Sequence, residues 1–151
     1  FFNKIQIQKH KGDLFRLSKE TDDLGIYNAE YLTVSNNEIH DVKGVLVNLY
    51  RGGSDESTFG PHLNFQGNKV SNASLGKRNK SQASLLLHGV QVASISNNKF
   101  IKSQLIKVEH TVGEPITNIK DNLFRDSKLP TVVELRAEGP HTAILKNNKK
   151  L

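Results

Sequence analysis

The chain has 151 residues, a net charge of +6 and no cysteine, long enough for one domain with a real core. The missing cysteine excludes disulfides, thiolate zinc sites and a cysteine nucleophile, and no apolar run approaches the roughly 20 residues of a membrane-spanning helix. The charge, with a sequence pI near 9.6, predicts either a polyanionic partner, nucleic acid or acidic polysaccharide, or simply a solvated basic surface.

Read in chain order, the sequence shows one pattern several times. FFNK, with Phe2 in the last apolar slot, reads as the tail of an earlier copy. LTVSNNEI (Leu32 to Ile39), LNFQGNKV (Leu63 to Val70), ASISNNKF (Ala93 to Phe100) and TNIKDNLF (Thr117 to Phe124) follow, and AILKNNKK closes the series. Each copy places an apolar residue, then a turn pair ending in Asn, then another apolar residue. The Asn positions are Asn37, Asn68, Asn98, Asn122 and Asn148, at spacings of 31, 30, 24 and 26 residues. Self-similarity at this period predicts a solenoid.

The strand signal selects the kind. Val34, Phe65, Ile95 and Ile119 lie in short stretches of period-two alternation, as a half-buried strand requires. A second β-rich stretch lies between the Asn turns: LFRL, VLVNLY, SLLLH, LIKVEH and VVEL. No copy contains an amphipathic helix. The sequence therefore predicts an all-β, right-handed parallel β-helix of about five coils, 1–151 being a single domain. One coil cannot bury its own apolar side chains, but stacked coils build a continuous core. At the tight corner Asn tolerates a left-handed backbone, and stacked copies can bond to one another as a ladder. The role expected for these Asn residues is structural. YRGGSDESTFGP (Tyr50 to Pro61) and SNASLGKRNKSQ (Ser71 to Gln82) read as loop excursions.

No GxSxG, Walker, HExxH or Rossmann pattern is present, so the residues alone assign no catalytic group and no metal ligand. Glu20, Asp22 and Asp23, or Asp55 and Glu56, could contribute oxygens to calcium or be solvated loop charges. Lys77, Arg78 and Lys80 form one basic cluster, and Lys146, Lys149 and Lys150 another at the end of the sequence; neither is interleaved with aromatics, which argues against a nucleic-acid stacking platform. Aligning the second β stretch on Leu17, Leu49, Leu86, Val108 and Leu135 predicts two outward rows. One is Arg16, Asn48, Leu85, Lys107 and Glu134. The other is Ser18, Tyr50, Leu87, Glu109 and Arg136, with Arg51, His88 and His110 just beyond. Tyr50, Arg51, His88, Lys107, Glu109, His110 and Arg136 are the candidate substrate-binding residues: Tyr stacks on a sugar ring, and Arg and Lys meet carboxylates. Lys107, Glu109 and His110 could also form an acid–base set. The same rows equally serve to solubilise the outside of a solenoid, with a cross-strand pair such as Lys107 and Glu134. The sequence also has no Met, so it is expected to be a domain, a cleavage product or a mature fragment.

KETDDLGIYNAEYLTVSNNEI, VNLYRGGSDESTFGP, LLLHGV and IKVEHTVGEP resemble the second, C-terminal β-helix domain of family 6 polysaccharide lyases, the alginate lyases related to chondroitinase B. The resemblance runs from about Leu14 to Phe124. It implies a parent enzyme that breaks uronic acid polymers by β-elimination. Calcium would neutralise the substrate carboxylate as a Lewis acid, and a Lys and an Arg of the first domain would move the proton and aid the leaving oxygen. The catalytic residues are therefore not carried over to positions here, and no calcium is assigned to this chain. Implied partners are an acidic polysaccharide, the upstream β-helix domain and a second copy in a homo-oligomer, with no nucleic acid and no membrane. The implied location is secreted or periplasmic in a bacterium. The domain would support the groove, bind substrate or mediate oligomerisation. The alternative is a non-enzymatic β-helix of adhesin or tail-fibre type that recognises anionic glycans.

Overall fold

A computed structural model describes residues 1–17, 31–50, 61–111, 113–135 and 139–151. The chain winds through three strands per coil. The first coil contains β1 (Phe2–Asn3), β2 (Gln6–Gln8) and β3 (Phe15–Leu17), and the second β4 (Tyr31–Ser35), β5 (Glu38–His40) and β6 (Val47–Tyr50). The third contains β7 (His62–Gln66), β8 (Lys69–Ala73) and β9 (Ala83–His88), and the fourth β10 (Val92–Ser96), β11 (Lys99–Ser103) and β12 (Leu105–His110). The fifth contains β13 (Ile116–Lys120), β14 (Leu123–Arg125) and β15 (Thr131–Glu134), and β16 (Thr142–Lys146) and β17 (Lys149–Lys150) begin a sixth. Equivalent strands stack in parallel into three sheets, here called A (from β1), B (from β2) and C (from β3). The fold is the expected right-handed parallel β-helix.

The corner between sheets A and B explains the repeat. The first residue of each turn pair sits in the left-handed region: Asn36, Gly67, Asn97, Asp121 and Asn147 have φ of 56° to 65°. Gly67 belongs there for a further reason, because a Cβ would lie 2.5 Å from Oδ1 of Asn36. The left-handed residue turns the chain, and the following Asn points inward. The two tasks expected of one Asn are thus divided between neighbours.

The inward Asn residues form a continuous ladder. Nδ2 of Asn98 donates to Oδ1 of Asn122 at 2.9 Å and to the Phe65 carbonyl at 2.9 Å. Its Oδ1 accepts from the backbone N–H of Asn68 at 2.8 Å and from Nδ2 of Asn68 at 3.1 Å. Asn37, Asn68 and Asn122 repeat the pattern, and Asn148 ends it with a bond to the Ile119 carbonyl. At the other end Asn37 accepts from the N–H of Ile5, which holds the ladder position without an amide. Each interior amide therefore uses two donors and two acceptors. That removes the penalty of burying it.

Around the ladder runs the apolar core. Leu32, Leu63 and Ala93, then Val34, Phe65, Ile95 and Ile119, line sheet A, and Ile39, Val70, Phe100 and Phe124 line sheet B, all buried. Phe65, Phe100 and Phe124 stack, with centroids 6.1 Å and then 5.2 Å apart. Sheet C contributes Val47, Leu85 and Ile106, and Leu49, Leu87, Val108 and Val132.

The register of sheet C corrects the sequence alignment in two places. Leu85 and Leu87, expected outside, are inward and fully buried, and Leu86 faces out opposite Asn48 and Lys107. In the last coil Val132, not Leu135, stacks on Val108. An irregularity causes the first shift: Leu105 pairs Ala83, but Ile106 pairs Leu85, so β9 carries one extra residue, Ser84. Such a bulge resets the side-chain phase downstream.

Asn98→Ala should cost about 3 kcal/mol in urea unfolding, because it strands buried groups on both sides of the ladder. Asn148→Ala, at the half-buried end, should cost less than about 1 kcal/mol. Equal losses at the two positions would contradict a load shared along the ladder.

Candidate functional site

The second coil, the third and the fourth put four of the expected residues side by side on the outer face of sheet C. Tyr50 pairs His88 in register, and His88 pairs Glu109. The Tyr50 and His88 rings stack with centroids 4.3 Å apart and 8° between planes. Nδ1 of His88 lies 2.6 Å from Oε2 of Glu109, and Nζ of Lys107 lies 2.5 Å from Oε1. Period-two alternation on β12 places Lys107 and Glu109 on one face with Val108 inward. The cluster therefore follows directly from strand geometry.

Its electrostatics are closed on themselves. Partial burial pushes the Glu109 carboxyl up, but hydrogen bonds from Lys107 and His88 outweigh this and hold it below the ordinary 4.5. Glu109 is thus an anion with a donor on each oxygen. The Nδ1–H tautomer of His88 is assigned from that carboxylate. Lys107 balances Glu109, and the edge of Tyr50, 42% exposed, borders the pair. Such a face offers a ring and hydrogen-bonding groups rather than free positive charge. The expected pair of Lys107 with Glu134 does not form. Lys107 stands opposite Thr131, and Glu134 bonds His141 at 3.2 Å.

His110 departs from expectation more sharply. It was expected outside as part of an acid–base set with Lys107 and Glu109, but it is 1% exposed. Strand alternation sends it to the opposite face from Glu109. Its Nε2 meets Oγ1 of Thr117 at 2.8 Å, its Nδ1 has no partner, and the His141 ring lies edge-on at 5.6 Å. Burial, and then the nearby His141, push it below the ordinary 6.5, while Glu134 pulls the other way. It is a neutral core histidine.

Arg51 and Arg136 lie outside the described residues, as do Glu20, Asp22, Asp23, Asp55 and Glu56. Among the described residues no group of three or more His, Asp or Glu stands where it could hold a metal ion. The alignment on the second β stretch also missed a set of cations: Lys120 and Lys146, each two residues before a ladder Asn, stack in register. Aligning the copies on their Asn exposes them.

No protein-family model matches the chain, and no curated protein matches it. Solved structures do. The family 6 polysaccharide lyase AlyGC, described as an alginate lyase, is 46% identical over 99% of this chain and 22% of that one, with a TM-score of 0.85. An arginine-to-alanine variant of AlyGC is 46% identical over 92% of this chain and 19% of that one, with a TM-score of 0.81. The chain thus spans about a fifth of the length of the solved structures it matches.

His110 also gives a pH prediction with a fixed sign. Its folded value is depressed, so its neutral form favours folding above the unfolded value of 6.5, and stability falls as pH drops through that value towards the lower folded one. Replacing His110 with Phe should flatten the unfolding midpoint against pH in that window, whatever it does to the midpoint itself. An unchanged slope would place the titration elsewhere.

Proposed function

We propose that this chain, a parallel β-helix domain of polysaccharide lyase family 6, serves a larger enzyme that cleaves an acidic polysaccharide such as alginate by β-elimination. The observation that carries this is the 46% identity over 99% of the chain to an alginate lyase of which it spans only 22%. In β-elimination a base removes the proton next to the uronate carboxylate, and the glycosidic oxygen leaves, giving an unsaturated sugar. The base must be free to take that proton. On sheet C the ammonium of Lys107 is held by Glu109, and with Nδ1–H of His88 on the same carboxylate only Nε2 of that ring is left to accept a proton. The small share of the solved lyase that the chain spans favours an accessory role here, with the chemistry, and any calcium it uses, on another part of the parent.

The outer face of sheet C is then read as a contact surface for the sugar chain or the upstream domain. Tyr50 offers a ring edge for sugar contact, and Lys107, Glu109 and His88 offer hydrogen-bonding groups. Arg51 and Arg136 belong to the same proposed surface by sequence position. Export to the periplasm or medium goes with a polymeric substrate, and no helix among the described residues is long and apolar enough to cross a membrane. Assembly with a second copy is also part of this reading.

A lyase assay decides the division of labour. The isolated chain, mixed with alginate with and without calcium, should give no rise in the ultraviolet absorbance of unsaturated product, while the intact parent does. A rise from the isolated chain would overturn the accessory role and make Lys107 and His88 the first positions to mutate. Tyr50→Ala should weaken alginate binding by the isolated chain a few-fold, measured by calorimetry; unchanged affinity would remove Tyr50 from the contact surface.

A further inference from the structure

Parallel, in-register stacking places equivalent side chains of successive coils about 4.8 Å apart. Like charges directly opposite one another are destabilising, and in parts of sheets B and C an acid answers the cation. Lys69 follows Glu38 in register and lies 3.6 Å from it, before Lys99 follows Lys69 in the next coil. On sheet C, Glu109 answers Lys107. The corner between sheets A and B in the last coils is different.

There Lys120 stacks directly on Lys146 at the end of sheet A. Across the same turn, Lys99 and Lys149 flank Leu123 at the start of sheet B. Lys99, Lys146 and Lys149 are exposed and Lys120 is half-buried. Among the described residues none of the four forms an ion pair. The only acid in these turns is Asp121, whose Oδ1 accepts from Nδ2 of Asn147 at 3.0 Å. Four lysines less one aspartate leave a local charge of +3. Beneath them the Asn ladder fixes the backbone, so the cations are displayed on a rigid edge and need no partner for the fold.

We propose that this corner is a binding ridge for a linear acidic polysaccharide. Lys120 and Lys146 meet carboxylates on one side of the turn, and Lys99 and Lys149 on the other. The polymer class rests on the reading of the parent as a uronan lyase; the ridge itself rests on the charge register. A chain lying along the solenoid axis meets one coil about every 4.8 Å, close to the rise of one sugar in an extended polymer. Beside the lysines the turns hold Asn97, Asp121 and Asn147, and Ser96 stacks on Lys120; the Ser96 hydroxyl and the Asn97 amide suit sugar hydroxyls, while the Asn147 amide donates to Asp121. No aromatic side chain stands in these turns to stack on a base, which favours a polysaccharide over a nucleic acid. The ridge is separate from the sheet C cluster, where Lys107 is already paired with Glu109.

The test titrates the isolated chain with alginate at low and at high salt, with neutral dextran and single-stranded DNA as alternatives. Alginate should bind and dextran should not, and affinity should fall with salt. A Lys120→Gln, Lys146→Gln, Lys149→Gln triple variant should bind alginate about tenfold more weakly, since exposed ion pairs are individually weak and three are lost together. Its salt dependence should also be shallower, with an unfolding midpoint no lower than that of the wild type. Tyr50→Ala should keep the full salt dependence. No alginate binding by the wild-type chain, or a triple variant with wild-type affinity and salt slope, would overturn the ridge and leave the lyase assignment of the parent standing. Tighter binding of DNA than of alginate would overturn the ligand class. Inactivity of the parent on alginate, with the ridge still binding it, would count against the parent's function alone.

Discussion

Buried amides stacked at one corner govern the rest of this structure. A parallel β-helix has weak local instructions, because every strand pairs with a partner a whole coil away in sequence. Loop closure and parallel pairing are both unfavourable until such contacts form. The Asn ladder answers this by making one side chain per coil satisfiable only in one register. A shift of a single residue would leave an amide with two donors and two acceptors buried and unpaired, a cost of several kcal/mol. The apolar rows supply most of the burial. Val, Ile, Leu and Phe tolerate exchange, so they specify the stack less strictly than the amides do.

The functional surfaces inherit that register. On sheet C it aligns Tyr50, His88 and Glu109 across three coils, and alternation along β12 brings Lys107 beside Glu109 while sending His110 into the core. At the ladder corner it stacks Lys120 on Lys146. One geometry thus produces two surfaces of different character. Sheet C carries a cluster of rings and hydrogen bonds in which Lys107 and Glu109 pair, and the corner carries four lysines without an ion pair among the described residues.

Much of the fold was legible in the sequence because the ladder residues are legible. Asn37, Asn68, Asn98, Asn122 and Asn148 mark the coils without reference to any structure, and the alternation around them marks the strands. What failed was phase. SLLLH offers three consecutive leucines, so apolarity does not say which faces inward, and the bulge at Ser84 shifts the answer by one. VVEL has the same ambiguity, which Leu135 resolved wrongly and Val132 rightly. His110 was misplaced for a related reason: a histidine at a strand end reads as polar, although burial beside Thr117 suits its neutral form. His88, Glu109 and Lys107 were found, but their closure into one network needed the register. Lys146 and Lys149 were visible as part of a basic cluster, but their alignment with Lys120 and Lys99 was hidden because these lysines belong to turns, where charge is ordinary in any single copy and unusual only when copies are stacked.

Residue-resolved hydrogen exchange on the isolated chain tests the central role of the ladder most directly. If the amides hold the coils in register, protection should be greatest at the backbone N–H groups of Asn68 and Asn98, which bond to side-chain oxygens at 2.8 Å and 3.0 Å. It should decline towards Asn148 at one end and Ile5 at the other, with slow-exchanging side-chain amides at the same positions. Protection that peaks in sheet C, with rapid exchange at Asn68 and Asn98, would contradict the claim and assign the register to apolar packing alone.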